Sequence, residues 1–310
     1  MRRAVLLYNP SSGRHPPERL RTLERIANVL RDRGLQPQII PTEAAGTAGL
    51  QTAKACDQGA DIVFACGGDG TVHEVLQGMA WQPQAALGVV PLGTANALAR
   101  HLQLSLDPVQ AALQQLDREP QVIPVGQVTF QTPQGERSRY FIVMAGAGPD
   151  GALVYKMLVN GKHRLGRLSY YIRAARLFAG TRFGSFPVQI VPQGGAAPIQ
   201  LEAVSTMAVR VGDLGGLFSP LVRGASLEHP HLRLTLAAPP ASLSLPAWFA
   251  LSWSRLHRWN QRVRILEVER FTCGSGTGSP VQVQADGEWL GHTPMTVRLI
   301  PNALRLLMPR

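Results

Sequence analysis

Cysteine is scarce in this chain of 310 residues, and Cys56, Cys66 and Cys273 are odd in number with no metal-type spacing. A reduced, cytoplasmic compartment is the simplest reading. Charged residues are only 16 % of the chain against 45 % hydrophobic, which excludes a disordered chain and fits a globular protein with large cores. Apolar runs are broken by Gly, Pro or charge well before the roughly eighteen residues of a membrane-spanning helix. The opening MRRAVLLYNPSSG has only a short apolar run before Asn9-Pro10, and reads as a first β-strand rather than a signal peptide. Lysine is scarce too. The chain has neither G-x-x-x-x-G-K-[ST] nor a G-x-G-x-x-G opening its first helix, which removes the P-loop and the standard dinucleotide fingerprint.

What is present is positive charge. Lys and Arg total 31 against 20 Asp and Glu, a net charge of +11, carried nearly all by arginine. Two readings fit: arginine-rich coding bias, or an anionic partner such as a nucleotide, an acidic lipid surface or nucleic acid.

The first third alternates strand and helix. Arg3 to Tyr8, Leu35 to Ile40, Ala60 to Ala65 and Ala86 to Val90 read as strands; Pro17 to Arg33, Thr47 to Gln58, Thr71 to Met79 and Thr94 to Leu102 read as helices. Short connections between them argue a parallel sheet covered on both faces, whose ligands bind at the carboxyl ends of the strands. After about residue 120 the pattern becomes strands separated by Pro, Gly and polar turns: 121–129, 137–145, 188–191, 199–211, 232–236, 263–268 and 281–285. One helix is read over Leu165 to Phe178, and CGSGTGSP (273–280) reads as a loop. The fold class expected is α/β plus all-β: a Rossmann-like parallel-sheet domain over residues 1–122, an antiparallel β-sandwich over 123–295, a cleft between them, and a final segment, 296–310, able to return to the first domain.

Three loops share one design, a strand end followed by Gly, Ser or Thr and a helix start. They are NPSSGR (9–14), GGDGTVHE (67–74) and PLGTANALAR (91–100). Backbone N–H groups at helix N-termini attract anions, and glycine lets the backbone approach closely. A single Gly-Thr before a helix is an ordinary N-cap; three such loops on one sheet point to a nucleotide. With no lysine in them, backbone amides, Arg14 or Arg100, and a metal ion are left to neutralise phosphate.

At these residues the sequence resembles the diacylglycerol kinase catalytic family, which includes sphingosine kinases and bacterial lipid kinases. NPSSG resembles the family's first loop, GGDGTVHEV its GGDGT-x-x-E-V signature, and PLGTANALAR its P-x-G-T-x-N-x-x-A-R motif. RLGRLSYY (164–171) looks like the segment before its inter-domain helix, and ADGEWL (285–290) like its carboxyl-terminal Asp-Gly-Glu. GGDGT alone is shared with NAD kinases; the ordered set is more specific. The resemblance implies transfer of the γ-phosphoryl of ATP, with Mg²⁺, to a lipid hydroxyl such as that of diacylglycerol or a sphingoid-like alcohol. It implies ATP contacts from Asn9, Pro10, Ser11, Ser12, Gly13, Thr42, Gly68, Asp69, Gly70, Thr71, Val72, His73, Glu74, Thr94 and Asn96. It implies Glu288 as the usual proton acceptor with Asp286 beside it. With no P-loop lysine in the chain, Asp69 is expected at the ATP end, through metal or water, with that pair facing it, and which of the three carboxylates takes the proton stays open. His73 and Ala97 depart from the family's common Asn and Asp, and LEHPHLRL (227–234) replaces an Asp-Gly turn around which some bacterial members hold a structural Mg²⁺.

Read without the family, the same residues keep other roles open. Asp286-Gly287 is a common hairpin turn. Glu74 is either a partner of its own helix dipole or an active-site group. Asn96 either caps a helix or orients a phosphate, and His73 is a bystander. The segment 245–265, with Trp248, Phe249, Trp253 and Trp259 among four arginines, suits either a bilayer interface or an inward-packed element. The expected partner is a lipid at a membrane surface, met by a cytoplasmic protein peripheral at the inner face, with no nucleic acid. The alternatives are an NAD-kinase-like phosphotransferase and a catalytically weak nucleotide or lipid sensor.

Overall fold

The computed structural model describes residues 2–10, 16–159, 177, 181, 183–212, 224–238, 263–276 and 278–308. Ser11, Ser12 and Gly13, the RLGRLSYY segment, the helix read over 165–178 apart from Leu177, and residues 245–262 of the Trp- and Arg-rich segment lie outside the described residues. Contacts divide the chain into two units, Met1–Val125 with Ile300–Arg310, and Gly126–Leu299.

In the first unit β1 (Arg3–Tyr8), β2 (Gln36–Pro41), β3 (Ile62–Gly67) and β4 (Ala86–Pro91) pair in parallel in the order β2–β1–β3–β4. Every residue of β3 and β4 is buried, as it must be in strands covered on both faces. The covering helices are α1 (Pro16–Asp32), α2 (Ala48–Asp57), α3 (Asp69–Met79), α4 (Ala97–His101) and α5 (Pro108–Leu116). In α1, Leu23, Ile26, Ala27 and Leu30 are buried while Arg21, Arg25 and Arg31 stay exposed, and Gly34, at φ +77°, turns the chain back. Helices α2 and α3 cross backbone to backbone, because a Cβ on Gly78 would overlap the carbonyl of Gly49.

Two departures from the sequence reading fall here. The helix expected over 94–102 begins only at Ala97, since Asn96 takes a left-handed conformation (φ 50°, ψ 50°) and the preceding residues form a loop. Helix α5 was not anticipated, although Asp107 accepts the Gln110 N–H at 2.8 Å and Pro108 follows it, a standard helix start. Its buried Gln115 exchanges two 2.7 Å hydrogen bonds with the backbone of Val89 and so locks α5 onto β4.

The second unit is antiparallel. Its elements are β5 (Pro120–Thr132), β6 (Gly135–Phe141), β7 (Met144–Ala147), α6 (Pro149–Val159), β8 (Phe186–Pro192), β9 (Ile199–Ala203), β10 (Ser205–Val209), β11 (Leu232–Ala237), β12 (Val263–Cys273), β13 (Gln282–Ala285) and β14 (Glu288–Leu307). Pairing runs β13–β7–β10–β11–β12 and returns through β14 to β13, so the layers close around one core that includes Phe141, Phe186, Phe271 and Leu234. A register shift between Val268 and Arg270 lets β12 pair β11 with its first half and β14 with its second.

Strands read as single from sequence are broken or lengthened. The one expected over 137–145 is split into β6 and β7, and the one over 199–211 into β9 and β10 at Val204, whose N–H goes to Ala237. The segment 296–308 is the end of one long strand, β14, and its last part lies beside β4, with Leu306 paired in parallel to Leu87. The exchange between units thus falls inside β5 and β14.

The LEHPH turn is built on a buried cation. Arg210, 1 % exposed, donates to the carbonyls of Leu227, His229 (2.9 Å) and His231 (3.3 Å). Burial pulls its pKa down to about 10, so the guanidinium stays charged at neutral pH. Among the described residues no helix is long and apolar enough to cross a membrane.

Candidate functional site

The carboxyl ends of β2, β1, β3 and β4 bring Thr42, Asn9, Gly68 and Thr94 to one edge of the parallel sheet. Thr42 continues the β1–β2 ladder, its N–H donating to Tyr8 at 2.8 Å. Asn9 and Pro10 are held from behind by Arg19, a buried arginine on α1 that donates to their carbonyls at 2.8 and 3.0 Å. Burial lowers the Arg19 pKa, but two carbonyl acceptors and an arginine's high starting value keep it cationic. Arg19 was not singled out from sequence. The signal was there: it is a basic residue one turn before Leu23, on the same stripe that α1 buries.

Glycine is required where the β3 and β4 loops meet. A Cβ on Gly93 would overlap the Cα of Gly68 and lie 2.8 Å from Asn96 Oδ1, and a Cβ on Gly67 would overlap Thr71. The two backbones therefore touch directly. Gly68 is the N-cap of α3 and has no side chain to cap it, and its carbonyl accepts the amides of Thr71 and Val72 at 3.0 and 3.1 Å. This leaves the positive end of α3 without a side-chain cap from its own N-cap residue, beside a glycine backbone. The side chains of Thr71, Val72 and His73 are buried, whereas Gly70 is half-buried and Thr94 is exposed.

The two acids of GGDGTVHE cap helices other than their own. Asp69 accepts the N–H of Asn96 at 3.0 Å and of Ala97 at 2.7 Å, closing the start of α4. Glu74 accepts the N–H of Gly46 at 3.1 Å and of Ala48 at 3.4 Å, at the start of α2, where Thr47 makes no cap of its own. Asn96 joins the assembly from the other side: its Oδ1 accepts the Gly93 N–H at 3.0 Å and its Nδ2 donates to the Gly93 carbonyl at 2.9 Å. Arg100 straps the same loop through the carbonyl of Ala95 at 2.9 Å.

In the second unit, Asp286 and Gly287 form the β13–β14 hairpin turn, both at positive φ (50° and 83°), with Ala285 paired to Glu288. Asp286 is 7 % exposed and its carboxylate is saturated with backbone donors: Ile142 at 3.1 Å, Val143 at 2.8 Å and Met144 at 3.0 Å. These bonds take the amides that would otherwise carry one strand through 142–143, which is why β6 and β7 are separate. Glu288, one residue past the turn, is half-buried, and its carboxylate has no hydrogen bond or ion pair among the described residues. Trp289 beside it donates to Gln282 at 2.7 Å and packs on Tyr155 of α6, ring centroids 5.3 Å apart.

A carboxyl missed from sequence lies in the same unit. Asp150, in the first turn of α6, accepts from Gln284 at 3.0 Å through Oδ2, while its Oδ1 is buried with no partner among the described residues. Desolvation pushes its pKa up to about 6, against the partial relief of the Gln284 and backbone hydrogen bonds. An acid between Pro149 and Gly151 reads as an ordinary helix start, so nothing local marks its burial.

Residues 3–128 match the model of the diacylglycerol kinase catalytic domain. A diacylglycerol kinase of Staphylococcus saprophyticus is 28 % identical over 297 residues, spanning 94 % of this chain and 91 % of its own. The crystal structure of a diacylglycerol kinase from Bacillus anthracis superposes with a TM-score of 0.68 at 18 % identity, covering 99 % of this chain and 97 % of that one. Yeast NADH kinase, solved with NADH, shares the fold more distantly, with a TM-score of 0.51 at 10 % identity, covering 100 % of this chain and 84 % of that one. Residues 3–128 thus resemble the diacylglycerol kinase catalytic domain, and the chain is similar along nearly its whole length to bacterial diacylglycerol kinases.

Proposed function

We propose that the chain is an ATP-dependent lipid kinase that moves the γ-phosphoryl group of ATP onto a lipid hydroxyl, that of diacylglycerol or a sphingoid-like alcohol. One observation carries the assignment of roles. Of the three motif carboxylates, Asp69 and Asp286 are engaged by backbone amides, whereas Glu288 is half-buried and has no partner among the described residues. A proton acceptor needs an unengaged lone pair. Glu288 therefore accepts the hydroxyl proton, the lipid oxygen bonds the γ-phosphorus, and the bond to the β-phosphate oxygen breaks to leave ADP.

The first unit supplies the cradle. Backbone amides of the Gly68–Thr71 turn and the N-terminus of α3 receive phosphate oxygens, and the Gly68–Gly93 contact brings the β4 loop against them. Asn9, Pro10 and Thr42 extend the same edge, Arg19 holding the first two in place. Among the described residues no three of His, Cys, Asp and Glu converge on a metal cage. The donors fit a cation carried in with the nucleotide better than a resident one, and Asp69 is the residue that would hold it. Mg²⁺ bound with ATP supplies charge neutralisation between phosphate oxygens.

The test is phosphoryl transfer from γ-labelled ATP to diacylglycerol, to a sphingoid base and to NAD, assayed separately with the pure protein. Label in a lipid is expected. Label in NAD alone, or in no acceptor while ATP binding is intact, would overturn the reading.

A further inference from the structure

The Glu288 carboxylate makes no bond of its own among the described residues, so its aim is set by the backbone on either side of it. Both neighbours are tied to α6. Before it, the Gly287 N–H donates to Gln284 Oε1 at 3.1 Å, and Gln284 Nε2 donates to Asp150 Oδ2 at 3.0 Å. After it, Trp289 packs on Tyr155 and its indole N–H donates to Gln282 Oε1 at 2.7 Å. Glycines make this closeness possible. A Cβ on Gly151 would overlap the carbonyl of Gln282, and a Cβ on Gly146 would overlap Asp150 Oδ2. The first turn of α6 therefore lies directly on β13, with the Asp150 carboxyl over the bare backbone of β7.

The tie through Gln284 is directional. Gln284 is 1 % exposed, and its amide has a donor end and an acceptor end. Asp150, with a pKa of about 6, is ionised at neutral pH and can only accept. It fixes Nε2 on its own side and leaves Oε1 for Gly287. Without an acceptor at 150 the amide can turn over, and its NH2 then meets the Gly287 N–H, donor against donor. For stability alone a neutral side chain would serve the site better, since burial penalises the Asp150 charge and its Oδ1 is buried with no partner among the described residues. What the charge provides is a single orientation of Gln284.

We propose that Asp150 is a positioning residue for Glu288: through Gln284 it holds the Gly287 amide, and with it the aim of the Glu288 carboxylate. The effect on turnover rests on the lipid kinase reading; the hold on the turn does not.

Two readouts separate them. The first is amide hydrogen exchange at Gly287 in wild type, Asp150→Ala and Gln284→Leu, all shown folded by thermal melting. Exchange is expected to speed up about tenfold in both variants, while the Asn96 and Ala97 amides of the first unit keep their wild-type rates. Unchanged exchange at Gly287 in Asp150→Ala overturns the proposal. The second is phosphorylation of diacylglycerol. Asp150→Ala is expected to lower kcat by about tenfold to a hundredfold at near-constant KM for ATP. Gln284→Glu sets two carboxylates face to face and should lose at least as much. The exchanged pair Asp150→Asn/Gln284→Glu should recover kcat, because the new Asn amide donates to a carboxylate that still accepts the Gly287 N–H. In a Glu288→Gln background Asp150→Ala should barely change the residual rate, since both act through one group. Fully multiplicative losses in that background, or an exchanged pair that recovers its melt and not its kcat, would leave Asp150 as a structural acid and overturn the positioning role. If wild type phosphorylates no acceptor, the kinase reading fails and exchange at Gly287 still decides the hold on the turn.

Discussion

The Asp69 carboxylate accepts the Ala97 N–H at 2.7 Å across two loops, so the acid inside the glycine turn closes the start of the next helix. A carboxylate in a loop that is to receive phosphate, as proposed above, repels its ligand unless its charge is spent elsewhere. Two amides at the positive end of α4 do part of that here. Replacing Asp69 with Ala leaves both amides without this acceptor and is expected to cost about 1–3 kcal/mol of stability as well as turnover. Asp69→Asn keeps one carbonyl acceptor and should retain more of the stability than of the activity. Thermal melts beside steady-state rates check this; loss of activity in Asp69→Ala with an unchanged melt would contradict the capping role.

Glu288 and Asp286 should separate in the opposite sense. Glu288→Gln removes the proton acceptor and no structural bond among the described residues, so its melt should match wild type while kcat falls by about 10²–10⁴-fold at a near-constant KM for ATP. Asp286→Ala removes the acceptor for three backbone amides at the β6–β7 break and should cost about 3 kcal/mol or more. A stable, inactive Asp286→Ala protein would return that residue to the chemistry.

Asp150 sets a pH dependence that can be signed. Its carboxyl titrates near 6 in the folded chain against an ordinary value of 3.8, so the folded state holds the proton more tightly than the unfolded state. The stabilisation is complete below the unfolded value and is lost as pH rises from about 4 through 6. A shift of about two units corresponds to roughly 3 kcal/mol. Asp150→Asn, which stays neutral and keeps an acceptor for Gln284, should flatten this fall and be the more stable protein at pH 7. Denaturant midpoints taken between pH 4 and 7 measure both effects.

What could be read from the sequence was whatever is local in the chain. Strand–helix alternation, the turn glycines and the order of the three loops depend on neighbours a few residues apart, and they place the parallel sheet and the edge where its loops gather. The backbone partners of Asp286 lie some 140 residues away in sequence, so Asp-Gly-Glu reads as a bare turn or as a reacting pair; the turn is there, and the bonds its acid makes to distant backbone leave no local mark. The same distance hides the split of β6 from β7. Arg19 and Asp150 escaped for a related reason: a helix face shows which residues are buried, but not that a buried charge has carbonyls or an amide waiting for it. Helix α5 is legible in Asp107-Pro108, but it is short and lies between two stronger patterns.

Glu74 tests whether the second trans-cap has a functional consequence. From α3 it accepts the amides of Gly46 and Ala48, and through them it orders the turn that joins Thr42 to α2. The Gly49–Gly78 contact brings the two helices close enough for this reach. Glu74→Ala should cost about 1 kcal/mol, the usual worth of an N-cap, and should loosen the Thr42 turn more than the Gly68–Thr71 turn, which has its own bonds through Gly68. The kinetic expectation is a raised KM for ATP with kcat little changed, and partial rescue in Glu74→Gln, whose side-chain carbonyl still accepts one amide. If Glu74→Ala instead lowers kcat at constant KM and leaves the melt untouched, the residue acts on the reacting phosphate and not on the loop.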